Sequence, residues 1–297
     1  MWLYESVTEV DLKINKAIHK AKHSIMQHQT PDLRENANIN AAGQQAIGAD
    51  VLAESTFLKA LENEGIAGTM YSEESGVKQF GKPEQDDPNS IVCILDPLDG
   101  SANYLKGIPF GCISLSYGPY QKDPLLRDMQ TSSVVSLYSD EEFYAHKGDG
   151  AYKNGMKLKS FDELHLPSFD ERTIQLSYYA YGSKASQYYY EFEDKYSLRS
   201  LGSAAWELAL VAENRNDAFV DIRGVLKTHD FAGAKLILEE LGGELKFLEL
   251  TEKEVLDIPL DNFTDGYSVI GSLDHELLEY LINEFASYDM ISPKVIG

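Results

Sequence analysis

Basic residues are scarce in this chain. Twenty-six lysines and arginines stand against 48 aspartates and glutamates over 297 residues, a formal net charge of −22. So few cations cannot easily build a surface that tracks nucleic-acid phosphates or lies on anionic lipid, so neither partner is expected. Cysteine is scarcer still: Cys93 and Cys112 are the whole complement, each inside an apolar, strand-like stretch. Two thiols with no close Cys/His pairing argue against zinc and read as buried, reduced side chains of a cytoplasmic protein. No apolar run approaches the roughly 20 residues that span a bilayer, and the N-terminus lacks the basic-then-apolar pattern of a secretion signal. Internal repeats and long disordered segments are also missing. What is present, 43% hydrophobic and 25% charged residues, suits a soluble globular protein with one large domain or two coupled ones.

Hydrophobic spacing organises the chain. Val10, Ile14, Ile18, Ala21 and Ile25 recur every three or four residues, which predicts an amphipathic helix. The polar stretch 29–45 reads as a loop, and a second helix is expected over about 50–63, stopped by Gly65. Thr69-Met70-Tyr71 predicts a short strand leading into Ser72-Glu73-Glu74-Ser75, with a Pro/Asp-rich loop over about 78–89. Residues 111–117, 133–138, 142–146 and 151–158 read as antiparallel ribbon with turns at Gly148 and Asn154-Gly155. Beyond about residue 172 strands and helices alternate: strands at 173–177, 217–221, 244–248 and 267–270, helices at 183–196, 204–213, from about 230 to Gly242-Gly243, and 274–285. Antiparallel sheet first and βα alternation second predict a layered α/β molecule, with an N-terminal half over 1–168 and a C-terminal half over 169–297.

The densest signal is Asp96-Pro97-Leu98-Asp99-Gly100-Ser101-Ala102-Asn103, directly after the apolar run Ile91–Leu95. Two carboxylates stand three residues apart where a buried strand is expected to stop. Pro97 is expected to end ladder pairing and to start a helical turn with Asp96 in the capping position. Gly100 lets backbone approach a ligand closely, and the amides that follow can face an anion. Asp-Pro and Asp-Gly pairs are also ordinary turn signals, so the motif needs the rest of the chain. Carboxylates for hard cations beside free amides for a phosphate suggest metal-assisted phosphoryl chemistry.

The chain resembles the inositol monophosphatase family, within the wider group that includes fructose-1,6-bisphosphatases. Asp96–Asn103 matches its D-P-[IL]-D-G-[TS]-x-N signature and Ser72–Ser75 its [GS]-E-E-S strand end. Thr228–Gly233 through Gly242-Gly243 resembles the W-D-x-A-A-G…E-x-G-G helix start. Gly148–Leu158, Arg199–Ala205 and Asp217–Asp221 resemble three further motifs, in the family's order and over most of the chain. The resemblance implies a sugar-phosphatase fold of αβαβα layers, with antiparallel sheet in the N-terminal half and a mixed sheet with helices in the C-terminal half. It implies Mg2+, two or three ions per site with Mn2+ as a substitute: Asp96 bridging two ions, Glu73 and the Leu98 carbonyl on the first, Asp99 and Asp230 on the second. Glu74 would support a third ion or position water. Glu73, Ser101 and Asp50 would be the catalytic set, the last two orienting the nucleophilic water. Asp50 suits a helix N-cap or first-turn acid equally well. An all-oxygen ligand set is what Mg2+ prefers.

Substrate contacts implied by the resemblance are Asp99, the Gly100 and Ser101 amides, Gly202, Ser203, Ala204, Asp230, and Asp221 facing substrate hydroxyls. Lys184, Arg223 and Lys227 are candidates for a second phosphate, or else exposed surface charges. The substrate implied is a small phosphorylated polyol or sugar, inositol monophosphate or fructose 1,6-bisphosphate, as in the dual-specificity enzymes of archaea and some bacteria. A 3′(2′),5′-bisphosphate nucleotidase and a protein-binding regulator are the alternatives, and a homodimer is the assembly implied. One departure stands out: the family's Trp before the last aspartate is His229 here, read as a packing residue.

Overall fold

The computed structural model describes residues 7–27, 31–164, 166–167, 173–180, 186, 189–248, 254–255 and 257–287. Helix α1 (Glu9–Gln27) presents Ile14, Ile18, Ala21 and Ile25 to α2 (Gly48–Asn63), which buries Ala53, Phe57 and Leu61 in return. Between them β1 (Asn36–Ile39) and β2 (Gln45–Ile47) form a small antiparallel hairpin, where a loop was expected. Its exposed, Asn-rich first strand has no apolar alternation to betray it.

Eight strands make the larger sheet: β3 (Ala67–Ser72), β4 (Gly76–Phe80), β5 (Ser90–Asp99), β6 (Cys112–Pro119), β7 (Thr131–Ser136), β8 (Glu142–His146), β9 (Gly150–Lys153) and β10 (Met156–Lys157). Their order is β10-β9-β8-β7-β6-β5-β3-β4, antiparallel throughout except where β3 runs parallel to β5. Strand β4 occupies the start of the expected 78–89 loop; only its two ends are buried, so its middle reads as polar loop. Alternation along β5 serves both faces. Cys93 and Leu95 meet α1 and α2, while Val92 and Ile94 face the molecular centre.

A second sheet holds β11 (Gln175–Tyr179), β12 (Ser197–Arg199), β13 (Ala218–Leu226), β14 (Glu244–Phe247) and β15 (Tyr267–Ser272) in the order β12-β11-β13-β15-β14. Strands β12, β11 and β13 are parallel, and β15 and β14 join antiparallel, the mixed sheet that was expected. Helices α5 (Ala204–Ala212) and α6 (Thr228–Glu239) fill the space between the sheets, with Trp206, Phe231 and Ile237 packing against Phe143 on one side and Phe219, Leu245 and Val269 on the other. The outer face of the second sheet is closed by α4 (Tyr189–Lys195) and α7 (His275–Ser287) through Phe192, Leu277, Leu281 and Phe285. The layers are α/β/α/β/α, as the resemblance implies. Of the tyrosine-rich helix expected over 183–196, the structure describes the α4 portion and Ser186.

Two departures concern the central motif. Strand β5 does not stop at Pro97: it pairs with β6 at Asp96↔Ser114 and again at Asp99↔Cys112, so three steps on β5 match two on β6. A bulge absorbs the proline, whose missing N–H falls in the irregular step. The six-residue helix α3 (Ser101–Lys106) starts only after Gly100, which holds φ +97° at the N-cap position. Asp96 therefore caps no helix, and its Oδ1 accepts the Leu98 N–H at 3.0 Å.

Gly233 fixes α6 against the larger sheet. A Cβ built there would stand 2.3 Å from Ser114 Oγ and 3.1 Å from the Leu115 nitrogen. Ser114 is the register partner of Asp96, so this contact sets how Asp230, three residues upstream of Gly233, meets the end of β5. Helix propensity alone would reward Gly233→Ala by about 1 kcal/mol. The overpacked contact is expected to reverse that sign, costing roughly 1–3 kcal/mol in chemical denaturation. A stabilised Gly233→Ala protein would contradict this packing.

Candidate active site

Parallel register brings the first acidic residues together. Because β3 pairs with β5 at Ser72↔Leu95, the next residues, Glu73 and Asp96, leave the sheet side by side, and the Glu73 N–H donates to the Leu95 carbonyl at 3.3 Å. Asp99 follows across the bulge. Asp230 arrives from α6, where it sits at the third helical position and its Oδ2 accepts the Lys227 N–H at 2.6 Å. Asp50 does the same on α2, accepting the Ile47 N–H at 2.8 Å. Both are first-turn acids rather than N-caps; each satisfies one orphan donor and offers negative charge to a helix N-terminus.

Asp96 and Asp99 are buried, whereas the side chains of Glu73 and Asp230 keep 16% and 20% of their surface open to solvent, enough to form a mouth. Burial, followed by the charges of Asp230, Glu74, Asp50 and Asp99, holds the Glu73 carboxyl well above the usual range. Burial and then Glu73, Asp99 and Asp230 do the same to Asp96. Asp99 is pushed up to about 6 by burial and then Asp230, against hydrogen bonds that favour its charged form. Burial lifts Asp230 to about 6 against the Lys227 N–H bond. Asp50 rises to about 8 and Glu74 to about 7, again chiefly through burial. Cluster and repulsion are thus the same observation.

The two halves meet at Asp99. Its Oδ2 accepts the Ser203 hydroxyl and the Ala205 N–H, both at 2.7 Å, and its Oδ1 the Ala204 N–H at 3.2 Å. The carboxylate therefore caps α5 from the other sheet. Gly100 and Gly202 face one another so closely that a Cβ on Gly100 would stand 3.2 Å from the Gly202 carbonyl oxygen. Asn103 donates from Nδ2 to the carbonyls of Leu201 at 2.6 Å and Phe110 at 3.0 Å. Thus Gly100, Ser101, Gly202, Ser203 and Ala204 do share one neighbourhood. Glu207 holds the Leu201–Ser203 turn from behind, accepting N–H groups of Leu201 and Gly202 at 3.2 Å and the Tyr179 hydroxyl.

The expected cationic contacts are already engaged. Arg223 donates from Nε to both Asp221 oxygens at 3.0 and 3.1 Å and lies 4.8 Å over the Tyr179 ring. Lys227 Nζ donates to the Thr264 carbonyl at 2.7 Å. Lys184 lies outside the described residues. Sequence reasoning missed Asn40, at the end of β1, whose Nδ2 donates to Glu73 Oε1 at 3.1 Å and Glu74 Oε1 at 3.4 Å. An asparagine in a polar stretch gives no signal of that reach. Glu207 and Asn103 were likewise unassigned. His229 is buried beside Asp230, and burial followed by the Lys227 charge lowers its pKa to about 3, leaving the ring neutral.

Do these residues fit a divalent cation? Among the described residues no three His, Cys, Asp or Glu side chains already stand around one point as ligands. Their chemistry nonetheless fits: clustered carboxylates from separate segments, raised by burial and then by one another's charge, with Glu74 Oε2 and His229 Nε2 buried and without hydrogen-bond partners among the described residues. Binding would draw these side chains inward by rotation.

Comparison with known proteins agrees with the geometry. The five-layer fold is that of inositol monophosphatase-type phosphatases: a Pyrococcus horikoshii protein described as similar to inositol-1 monophosphatase superposes with TM-score 0.69 at 26% identity, covering 91% of this chain and 95% of its own. The model of the inositol monophosphatase family matches residues 4–288. The chain belongs to that family and is a phosphatase, a phosphoric monoester hydrolase. The fructose-1,6-bisphosphatase/inositol-1-monophosphatase of Methanothermobacter thermautotrophicus is 34% identical over 217 residues, 72% of this chain and 75% of the relative. A bifunctional NADP phosphatase/NAD kinase of Methanococcus maripaludis is 27% identical over 97% of this chain, which spans about half (51%) of that longer protein. Among the described residues no helix is long and apolar enough to cross a membrane.

The raised carboxyl groups set a pH dependence. Unfolded, they ionise near pH 4; folded, Asp99 and Asp230 hold their protons to about 6, Glu74 to about 7 and Asp50 to about 8. Their contribution to stability is fully present below pH 4 and is lost as pH climbs through 6 to 8. Protein stripped by EDTA is expected to melt several degrees lower at pH 8 than at pH 5 by scanning calorimetry, and a divalent cation at pH 8 to restore the difference. A melting temperature that climbs from pH 5 to pH 8 in EDTA would contradict the cluster.

Proposed function

We propose that this phosphatase hydrolyses small sugar or inositol phosphates, inositol monophosphate, fructose 1,6-bisphosphate or both, with Mg2+ held by Glu73, Asp96, the Leu98 carbonyl, Asp99 and Asp230. The observation that carries the reading is the convergence of largely buried carboxylates from the ends of β3 and β5 and the start of α6, where burial and their neighbours' charges hold Glu73 and Asp96 well above the usual carboxylate range. Divalent cations held there would supply a lowered pKa for an attacking water and neutralise a leaving alkoxide.

The chain's own residues supply the rest. Asp96 and Asp99, fixed by the β5 bulge and the α5 cap, hold the ligand set rigid between the two sheets. The Gly100 and Ser101 amides accept the phosphate, and Gly100 leaves room for its approach. Asp50 and the Ser101 hydroxyl orient the water. Asp221, its charge balanced by Arg223, offers acceptor atoms to substrate hydroxyls beside the Gly202–Ala204 turn, and Arg223 and Lys227 stand near enough to Asp230 to weigh on its charge. Residues 1–168 and 169–297 act as two halves closing over the substrate, a reading supported by the two separate sheets and the Asp99 bridge. A cytoplasmic homodimer is the setting proposed, on family resemblance.

A second reading, a nucleotide phosphate as substrate, is favoured by the NADP phosphatase relative, whose similarity runs along 97% of this chain. Phosphate release from a panel of inositol, sugar and nucleotide phosphates separates the two. Sugar or inositol phosphates should turn over fastest, EDTA should abolish release, and Asp96→Asn should lower it on the order of 10³-fold, the loss of several kcal/mol of electrostatic stabilisation. Full activity in EDTA would overturn the metal-assisted reading, and preference for NADP or adenosine 3′,5′-bisphosphate would replace the substrate.

A further inference from the structure

The described part of the site contains a nitrogen donor that the proposed ligand set does not use. His229 is the second residue of α6, directly before Asp230, and its side chain is 1% exposed. Its Nε2 has no hydrogen-bond partner among the described residues. That atom points into the acidic cluster, 3.7 Å from Asp230 Oδ1 and 4.0 Å from Glu73 Oε1. Both distances exceed a hydrogen bond, in which nitrogen and oxygen approach to about 2.9 Å. An imidazolium paired with either carboxylate would close that gap. A polar atom buried this deeply normally finds a partner.

The gap leaves room for a shared ion once the side chains turn inward. Donor atoms held about 2.0–2.2 Å from one metal stand about 3–4 Å apart, and a cation between the three side chains would satisfy all of them. We propose that His229 Nε2 is a nitrogen donor to the divalent cation held at the Glu73/Asp230 side of the cluster, and that it moves the site's preference from Mg2+ towards borderline ions such as Co2+ and Zn2+. This deepens the metal-assisted reading above and rests on it. Mg2+ prefers oxygen and gains little from an imidazole, whereas Co2+ and Zn2+ bind imidazole well. The tryptophan that the resembling family carries at this place could not serve, since an indole N–H donates only.

Binding measured on metal-free protein tests this without reference to turnover. Isothermal titration with Co2+ and with Mg2+ is compared for the native chain, His229→Gln and His229→Trp, with the apo melting temperature of each confirming the fold. Both variants are expected to weaken Co2+ binding about tenfold or more and Mg2+ binding by less than about threefold. The Co2+-loaded native protein should show a hyperfine-shifted, solvent-exchangeable imidazole proton in its NMR spectrum, absent from both variants. That spectrum needs no variant, so it stands even if a substitution unfolds the chain. Co2+ bound to the native protein with no such proton, or an unchanged Co2+/Mg2+ ratio in folded variants, would overturn the role of His229 while leaving the carboxylate centre in place. Failure of either ion to bind would overturn both.

Discussion

Buried like charges held together govern this molecule. Burial raises the pKa of Glu73, Asp96, Asp99 and Asp230, neighbouring carboxylates raise the first three further, and Lys227 and Arg223 offset the rise only at Asp230. Carboxylates left to themselves would rotate outward to water. They stay because the backbone places them: β3 in parallel register beside β5, a bulge that carries β5 past Pro97, and α6 pinned to β6 at Gly233. The surrounding core supplies the stability that this arrangement consumes, and on the proposed reading a bound cation would relieve the repulsion.

The residues proposed to do the chemistry also do structural work. Asp99 caps α5 across the gap between the sheets, and Asp50 and Asp230 satisfy backbone donors at the starts of α2 and α6. Such bonds orient each carboxylate by one oxygen lone pair and leave others free, so capping and ion binding do not compete outright. They also link the halves. A movement of α5 is felt at Asp99, and through Gly100 and Gly202 at the turn where the phosphate is proposed to sit.

Most of the fold was legible because its cores are periodic. The three-to-four spacing of α1 and the continuous apolar run of β5 follow directly from burial on one face or on two. What escaped was polar or irregular. The Asn36–Ile47 hairpin and β4 have little apolar pattern, so neither registers as strand. Pro97 misled because proline ends a regular ladder, whereas a bulge tolerates it. In the site, motif residues close in sequence could be grouped from the text, and the structure gathers Glu73, Asp96, Asp99 and Asp230. Contacts between ordinary residues could not: Asn40 on Glu73, 33 residues away, and the shorter-range Glu207 behind the Gly202 turn and Arg223 on Asp221 emerge only when the chain is folded. His229, read as packing, is buried as a packing residue would be, yet its ring nitrogen faces the carboxylates.

Anomalous diffraction from crystals soaked in Mn2+ tests the central claim most directly, because it locates the ion itself. Strong anomalous peaks are predicted between the end of β5, Glu73 and Asp230, with the side chains drawn in around them. A map with no peak there at saturating Mn2+, or with a lysine or arginine side chain filling the space between those carboxylates, would contradict the account.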